Sequence, residues 1–200
     1  MKKTFAAVLL VWVSVNYLDI PLAEFILHTL GRIFLFSRSV SGLPDLLFST
    51  VVACSAFAWG AHFHFRRRGD AVQALRYLVP GLALPAAYAA KTVLKWGFGR
   101  TDSRAWLENP QIGDAFHWFA GGGLFEGFPS GHMMVFTPLF LAIVRIRPGW
   151  RRGALVAWSA LAIALVVTGY HFLGDVLAGA FGGYALDAAA TRLAGKLKIT

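Results

Sequence analysis

His171 and Asp175 stand four residues apart, the spacing that puts two side chains on one face of a helix and lets a carboxylate accept from one imidazole nitrogen. Such a contact fixes the tautomer and frees the other nitrogen as a nucleophile toward phosphorus or acyl carbon. Attack on phosphorus also needs fixed cations and N–H donors where negative charge develops, and Lys95, Arg100 and Arg104 are the cations within reach in the chain. Pro129-Ser130-Gly131-His132 opens an apolar run. There the Ser130 and Gly131 N–H groups and the positive end of a helix dipole would suit an anion. Ser130 reads as a helix cap or backbone donor, not a nucleophile, and His132 is placed to protonate a leaving oxygen.

These residues need elements to hold them, and the composition says of what kind. The 200 residues are 57% hydrophobic and 14% charged, against roughly a quarter charged in a soluble domain, with a mean hydropathy of +0.59. That excludes an ordinary soluble domain. The single cysteine, Cys54, excludes an intrachain disulfide scaffold and a cysteine metal cluster. A crossing helix needs about 20 mostly apolar residues. Runs at 4–18, 46–65, 77–94 and 133–144 answer to that, and 153–191, free of Lys and Arg, is long enough for two crossings with a break near Gly169 to Asp175. The first run begins like a signal peptide and is read as a retained helix, with 22–36 as a separate amphipathic helix in the interface. Pro80 and Pro85 within the third run are tolerated as kinks.

Six spans put Lys2, Lys3, Arg66 to Arg68, Arg76, Arg145, Arg147, Arg151, Arg152, Arg192, Lys196 and Lys198 on one side, 13 of the 19 cationic residues. By the positive-inside rule that side, with both termini, is cytoplasmic, and the net charge of +9 then calls for no nucleic-acid partner. On the same scheme Lys95 lies about 28 Å above Arg76 and His132 about 20 Å above Arg145, so Lys91, Lys95, Arg100, Arg104, His132, His171 and Asp175 converge at the external end. Plainer readings stand beside these. Asp175 could be only a helix cap, Arg104 a solvated loop charge, and Lys91 a side chain snorkelling to headgroups. His28, His62, His64 and His117 read as interfacial or loop histidines, the run Gly121 to Gly123 as a flexible loop, and Arg145 to Arg152 as topology determinants.

Phe128-Pro129-Ser130-Gly131-His132, followed 39 residues after its histidine by His171-Phe-Leu-Gly-Asp175, resembles the type 2 phosphatidic acid phosphatase (PAP2) superfamily, and Lys95-Trp-Gly-Phe-Gly-Arg100 looks like its first motif. The resemblance runs over 91–183. It implies a six-helix core, a phosphohistidine on His171 oriented by Asp175, protonation of the leaving group by His132, and no metal or other cofactor. Two positions depart from the pattern. The family's first motif reads Lys, six residues, Arg-Pro, where this chain has Asp102-Ser103; its third motif carries an arginine six residues before the nucleophilic histidine, where this chain has Leu165. Arg100, with Arg104 as second candidate, is expected to supply the displaced cation.

The expectation is therefore an all-α, polytopic membrane protein: a single domain over 1–200 with six transmembrane helices in a PAP2-like bundle. It would be a metal-independent hydrolase of the bacterial inner membrane with its site facing outward. Its partners are the bilayer and a lipid phosphate or diphosphate such as undecaprenyl diphosphate, phosphatidic acid, phosphatidylglycerol phosphate or lipid A; no protein or nucleic-acid partner is expected. Transfer of phosphate or a phospho-headgroup to another lipid is the alternative, and a non-catalytic transporter a more distant one.

Overall fold

A computed structural model describes residues 2–37 and 43–197, with side chains in 4–29 and 46–197. Lys198 and the side chains of Lys2 and Lys3, which the topology argument uses, lie outside the described residues. The described chain is all-helical: α1 (Lys2–Val13) runs through a π-turn (Ser14–Leu18) into α2 (Asp19–Ser37), followed by α3 (Leu43–Arg67), α4 (Ala71–Phe98), the short α5 (Ser103–Glu108), α6 (Gly131–Ile146), α7 (Arg151–Val167) and α8 (Leu173–Leu197). Among the described residues four stretches are long and apolar enough to cross a membrane: Thr4–Thr29, Leu46–Arg67, Ala71–Phe98 and Pro148–Val167. Gly131–Ile146 is a shorter apolar helix. The expected separate interfacial helix at 22–36 is corrected: α1, the π-turn and α2 run on without a break, and Pro21 is accommodated inside this continuous helix directly after the π-turn, the kind of local adjustment by which apolar helices tolerate proline.

A proline inside α4 leaves a carbonyl that a neighbouring helix then serves. Pro85 removes the donor for the Gly81 carbonyl, and Trp59 Nε1 of α3 donates to that oxygen at 3.1 Å, pinning α3 to α4. His62, expected at the interface, is buried in the same contact, with Nδ1 2.8 Å from the Ala74 carbonyl. Leu47 and Val51 of α3, Leu84 and Ala87 of α4, and Met134 and Val135 of α6 form one apolar core.

Glycine decides how closely α8 approaches α6. A Cβ on Gly179 would lie 2.4 Å from the Ser130 carbonyl oxygen, and one on Gly183 2.5 Å from the Met134 carbonyl oxygen. Backbone therefore packs on backbone through a small-xxx-small pair, a contact that membrane helices use for close association. On the remaining side Met133 of α6, Leu165 of α7, and Val176 and Ala180 of α8 close a second core. Toward the opposite end Arg145 Nη2 donates to Asp187 Oδ2 at 2.6 Å, so this arginine binds α8 in addition to any topological role.

Candidate active site

Three segments meet at one end of the bundle, and each arrives there for a local reason. Gly99 ends α4 in the left-handed region (φ 55°), where a Cβ would overlap the His117 carbonyl. Only glycine fits there. The chain beyond folds back on itself through Thr101 N to Ala115 O, Asp102 N to Leu124 O and Gly127 N to Arg100 O. Ser130 caps α6, its Oγ accepting from Met133 N at 3.4 Å. Leu165 ends α7 by accepting at its carbonyl from both Tyr170 N (2.9 Å) and His171 N (3.1 Å).

The two imidazoles lie together, with ring centroids of His132 and His171 6.3 Å apart, both rings buried. Among the described residues neither His132 Nε2 nor His171 Nδ1 has a hydrogen-bond partner. Tyr170 stands edge-on to His132 at 5.2 Å and carries Arg104 over its ring face, with Cζ 3.6 Å from the centroid. Arg104 Nε and Nη2 are buried without a partner, so its plainer reading as a solvated loop charge is set aside. Lys95 reaches the same place from α4, its Nζ donating to the Glu126 carbonyl. A Cβ on Gly131 would meet Lys91 Cδ at 2.8 Å and Lys95 Cε at 3.6 Å, so both lysine stems run across the start of α6. Burial pushes the His171 pKa below its ordinary 6.5, the Lys95 and Arg104 charges push the same way, and Asp102 and a Gly127 backbone hydrogen bond oppose them. Burial and the neighbouring cations thus favour the neutral imidazole.

Three expectations need correction. His171 and Asp175 do not share a helix face, because α8 begins at Leu173 and His171 lies in the turn before it; Nδ1 is 3.8 Å from Asp175 Oδ2, beyond hydrogen-bond length. Asp175 Oδ2 instead accepts from Phe172 N at 3.0 Å, as an acidic residue does when it caps the helix start from the third position. Arg100 is wholly buried and occupied: Nη1 meets Asp175 Oδ1 at 2.7 Å and Asp19 Oδ2 at 2.8 Å, Nη2 meets Asp114 Oδ2 at 3.3 Å, and the Phe172 and Phe116 rings flank it. Its guanidinium is taken up by protein carboxylates and is not presented to a ligand. The Ser130 N–H is likewise committed, donating to the Asp175 carbonyl at 2.9 Å, which leaves Gly131 and His132 to offer the N–H groups of the first turn. Asp19, Asp114 and Tyr170 were not singled out in the sequence; the signal for Asp19 was an ionisable residue inside an apolar helix.

The family model of the PAP2 superfamily matches residues 76–199. The chain belongs to the PAP2 superfamily. Two curated relatives are lipid A 1-phosphatases. That of Rhizobium etli is 37% identical over 71 residues, 35% of this chain and 31% of the relative; that of Rhizobium johnstonii is 35% identical over 71 residues, 35% of this chain and 29% of the relative. The alignment therefore spans about a third of the length of the curated relatives it matches. No solved structure gives a significant match.

Membership in the PAP2 superfamily makes the two departures physically readable. Asp102, where the family has arginine, is the N-cap of α5: its side chain accepts from Arg104 N at 2.9 Å. The short helix it starts carries Arg104 to Tyr170, and Ser103 Oγ ties it to the Gly169 carbonyl at 2.8 Å. Arg104, two residues beyond position 102, stands on this capped turn. Leu165, where the PAP2 pattern has its other arginine, is buried in the α6–α7–α8 core and serves the site only through its carbonyl.

Proposed function

We propose that this PAP2 protein is an integral membrane lipid phosphatase that removes a terminal phosphate through a phosphohistidine on His171. The observation that carries the reading is the 6.3 Å approach of the two buried imidazoles beneath Arg104 and Lys95 at the open end of α6. A phosphoryl group held between two such rings would meet cations and N–H donors at its equatorial oxygens.

In this mechanism Lys95, Arg104 and the Gly131 and His132 N–H groups hold the phosphate. His171 faces Asp175 with Nδ1 and attacks in line with Nε2, so the N–P bond forms as the P–O bond to the lipid breaks. His132 gives its proton to the departing oxygen. Asp175, closing the 3.8 Å gap to Nδ1 when the imidazole becomes cationic, stabilises that charge. A water deprotonated by His132 then attacks phosphorus, releasing phosphate and neutral His171. Fixed cations supply the charge stabilisation, so the reaction proceeds without a metal ion.

The rods α1–α2, α3, α4, α6, α7 and α8 act as six membrane crossings in a bacterial inner membrane, with both termini cytoplasmic and the site outside. Among lipid phosphates the relatives favour a lipid A-type sugar 1-phosphate, with undecaprenyl diphosphate, phosphatidic acid and phosphatidylglycerol phosphate as the other members of the class. The test is phosphate release from these four lipids by purified protein in detergent with a chelator present. Release from at least one, abolished by His171→Ala, is the expected result; a folded protein inert toward all four, or an unimpaired His171→Ala, contradicts the reading.

A further inference from the structure

Asp19 lies in the amino-terminal rod, outside the matched family region of 76–199, yet it touches both sides of the site's supporting structure. Its side chain is almost wholly buried. Oδ1 accepts from Ser14 Oγ at 3.0 Å and from the Gly174 N–H at 2.7 Å, and Oδ2 meets Arg100 Nη1 at 2.8 Å. The same Nη1 meets Asp175 Oδ1 at 2.7 Å. One guanidinium nitrogen is thus shared between a carboxylate on the amino-terminal rod and the carboxylate beside His171.

The local backbone is shaped to make this contact. Ser14 and Asp19 are five residues apart, and in a regular α-helix their side chains would point about 140° away from each other. The π-turn, closed by the Asp19 N–H on the Ser14 carbonyl, restores them to one side, and such turns are characteristic of functional positions. The receiving surface is cut to match: a Cβ on Gly174 would lie 2.7 Å from both Asp19 Oδ2 and Val15 Cγ2. A charge buried in an apolar rod is costly unless something requires it, and a simple anchor would not carry one.

We propose that Asp19 is a positioning residue of the active site, holding Arg100 so that Arg100 in turn aims Asp175 at His171, and that the amino-terminal rod is thereby a working part of the site. Asp175 divides its oxygens, Oδ1 to Arg100 and Oδ2 toward Phe172 N and His171 Nδ1. Without Asp19, Nη1 loses its second partner, and Arg100, then held on that side by the longer 3.3 Å contact of Nη2 with Asp114, can turn further onto Asp175 and draw Oδ2 off His171. Among the described residues Asp19 is bonded to Ser14, Gly174 and Arg100 and not to the phosphate-holding Lys95 and Arg104, so substrate binding is spared while the chemical step is slowed. The kinetic half of this inference rests on the phosphatase reading above.

The test compares wild type with Asp19→Asn, which keeps the shape and removes the charge, using lipid A in detergent micelles and thermal unfolding on the same samples. A parallel readout is the ring 15N spectrum of His171, assigned by its loss in His171→Ala. The expected result is a kcat lowered roughly 10- to 100-fold, as when a partner that orients a functional side chain is removed, with KM changed less than about 2-fold and the His171 ring nitrogens shifted. A folded Asp19→Asn with unchanged kcat, or one whose kcat falls only in proportion to unfolded protein while the His171 signals stay in place, overturns the proposal. Should Asp19→Asn not fold, Ser14→Ala decides: losing the hydrogen bond that aims the carboxylate is expected to lower kcat by about 5-fold or more, and an unchanged kcat overturns the proposal. Should wild type not hydrolyse lipid A, the phosphatase reading for that lipid fails separately, and the His171 spectrum still decides, since unmoved nitrogens in Asp19→Asn overturn the positioning role.

Discussion

At the scale of single residues, Arg100 and Arg104, first and second candidates for the displaced cation, stand in different surroundings. Both flank position 102 at two residues' distance, and the Gly-Phe-Gly-Arg context favoured Arg100; what separates them is the company each keeps. Arg100 is enclosed by Asp19, Asp175 and Asp114, whereas Arg104 lies on Tyr170 with two buried, unpartnered nitrogens. Arg104→Ala is therefore expected to lower kcat/KM by about 100-fold, the scale of removing one donor to a developing oxyanion. Arg104→Lys should recover only part of it, because a planar guanidinium both stacks and forks; steady-state kinetics with each variant checks this. His171 offers a second prediction, on stability. Its folded pKa lies below the ordinary 6.5, so as pH falls through 6.5 the unfolded chain takes up a proton that the folded site refuses, and stability drops. His171→Gln should remove up to about 1.4 kcal/mol per pH unit from that acid slope, measured as the change in Tm between pH 7.5 and 5.5. An acid slope identical in the two proteins would contradict it.

At the scale of elements, the placement of the site depends on how tightly α6 and α8 are drawn together. The starts of α6 and α8 hold His132 and Asp175, and the Ser130 N–H bond to the Asp175 carbonyl fixes their register. Gly179→Val should force backbone apart, since its Cβ would stand 2.4 Å from the Ser130 carbonyl oxygen. Overpacking of this kind costs about 1–3 kcal/mol, and the variant is expected to lose activity further than its Tm alone explains. On α5, Asp102→Ala removes the cap at a cost of about 1 kcal/mol and should raise KM more than it lowers kcat, because it frees the turn that carries Arg104. Much of this level was legible in the chain. The histidine motifs, the break between α7 and α8, and the convergence of Lys95, His132 and His171 follow from spacing and charge. The His171–Asp175 geometry did not, because i, i+4 spacing implies a shared face only if the helix has already begun, and Leu173 begins it. The role of Asp102 was hidden because a cap is recognised by the helix that follows it, and α5 is only six residues long.

At the scale of the whole molecule, all-helical architecture and an apolar character follow from composition, and four stretches of spanning length and apolarity are present. The continuous α1–α2 rod was not legible, because Pro21 and the acids near it read as a break when they instead mark the place where the rod meets the site. The proposed topology is tested with single cysteines in a Cys54→Ser background and a membrane-impermeant maleimide on oriented vesicles. Leu124→Cys, at an exposed position of the site loop, should label from the external side, and Gly149→Cys only from the cytoplasmic side. Labelling of both from one side would refute the arrangement.

The central claim, that His171 carries the phosphoryl group, is tested most directly by rapid quench of the protein during turnover of a phosphate-labelled lipid, followed by mapping of the labelled residue. The account predicts an acid-labile, base-stable phosphohistidine at residue 171, absent from His171→Ala. Label on His132 or another residue, or turnover without any phosphorylated protein, would contradict it.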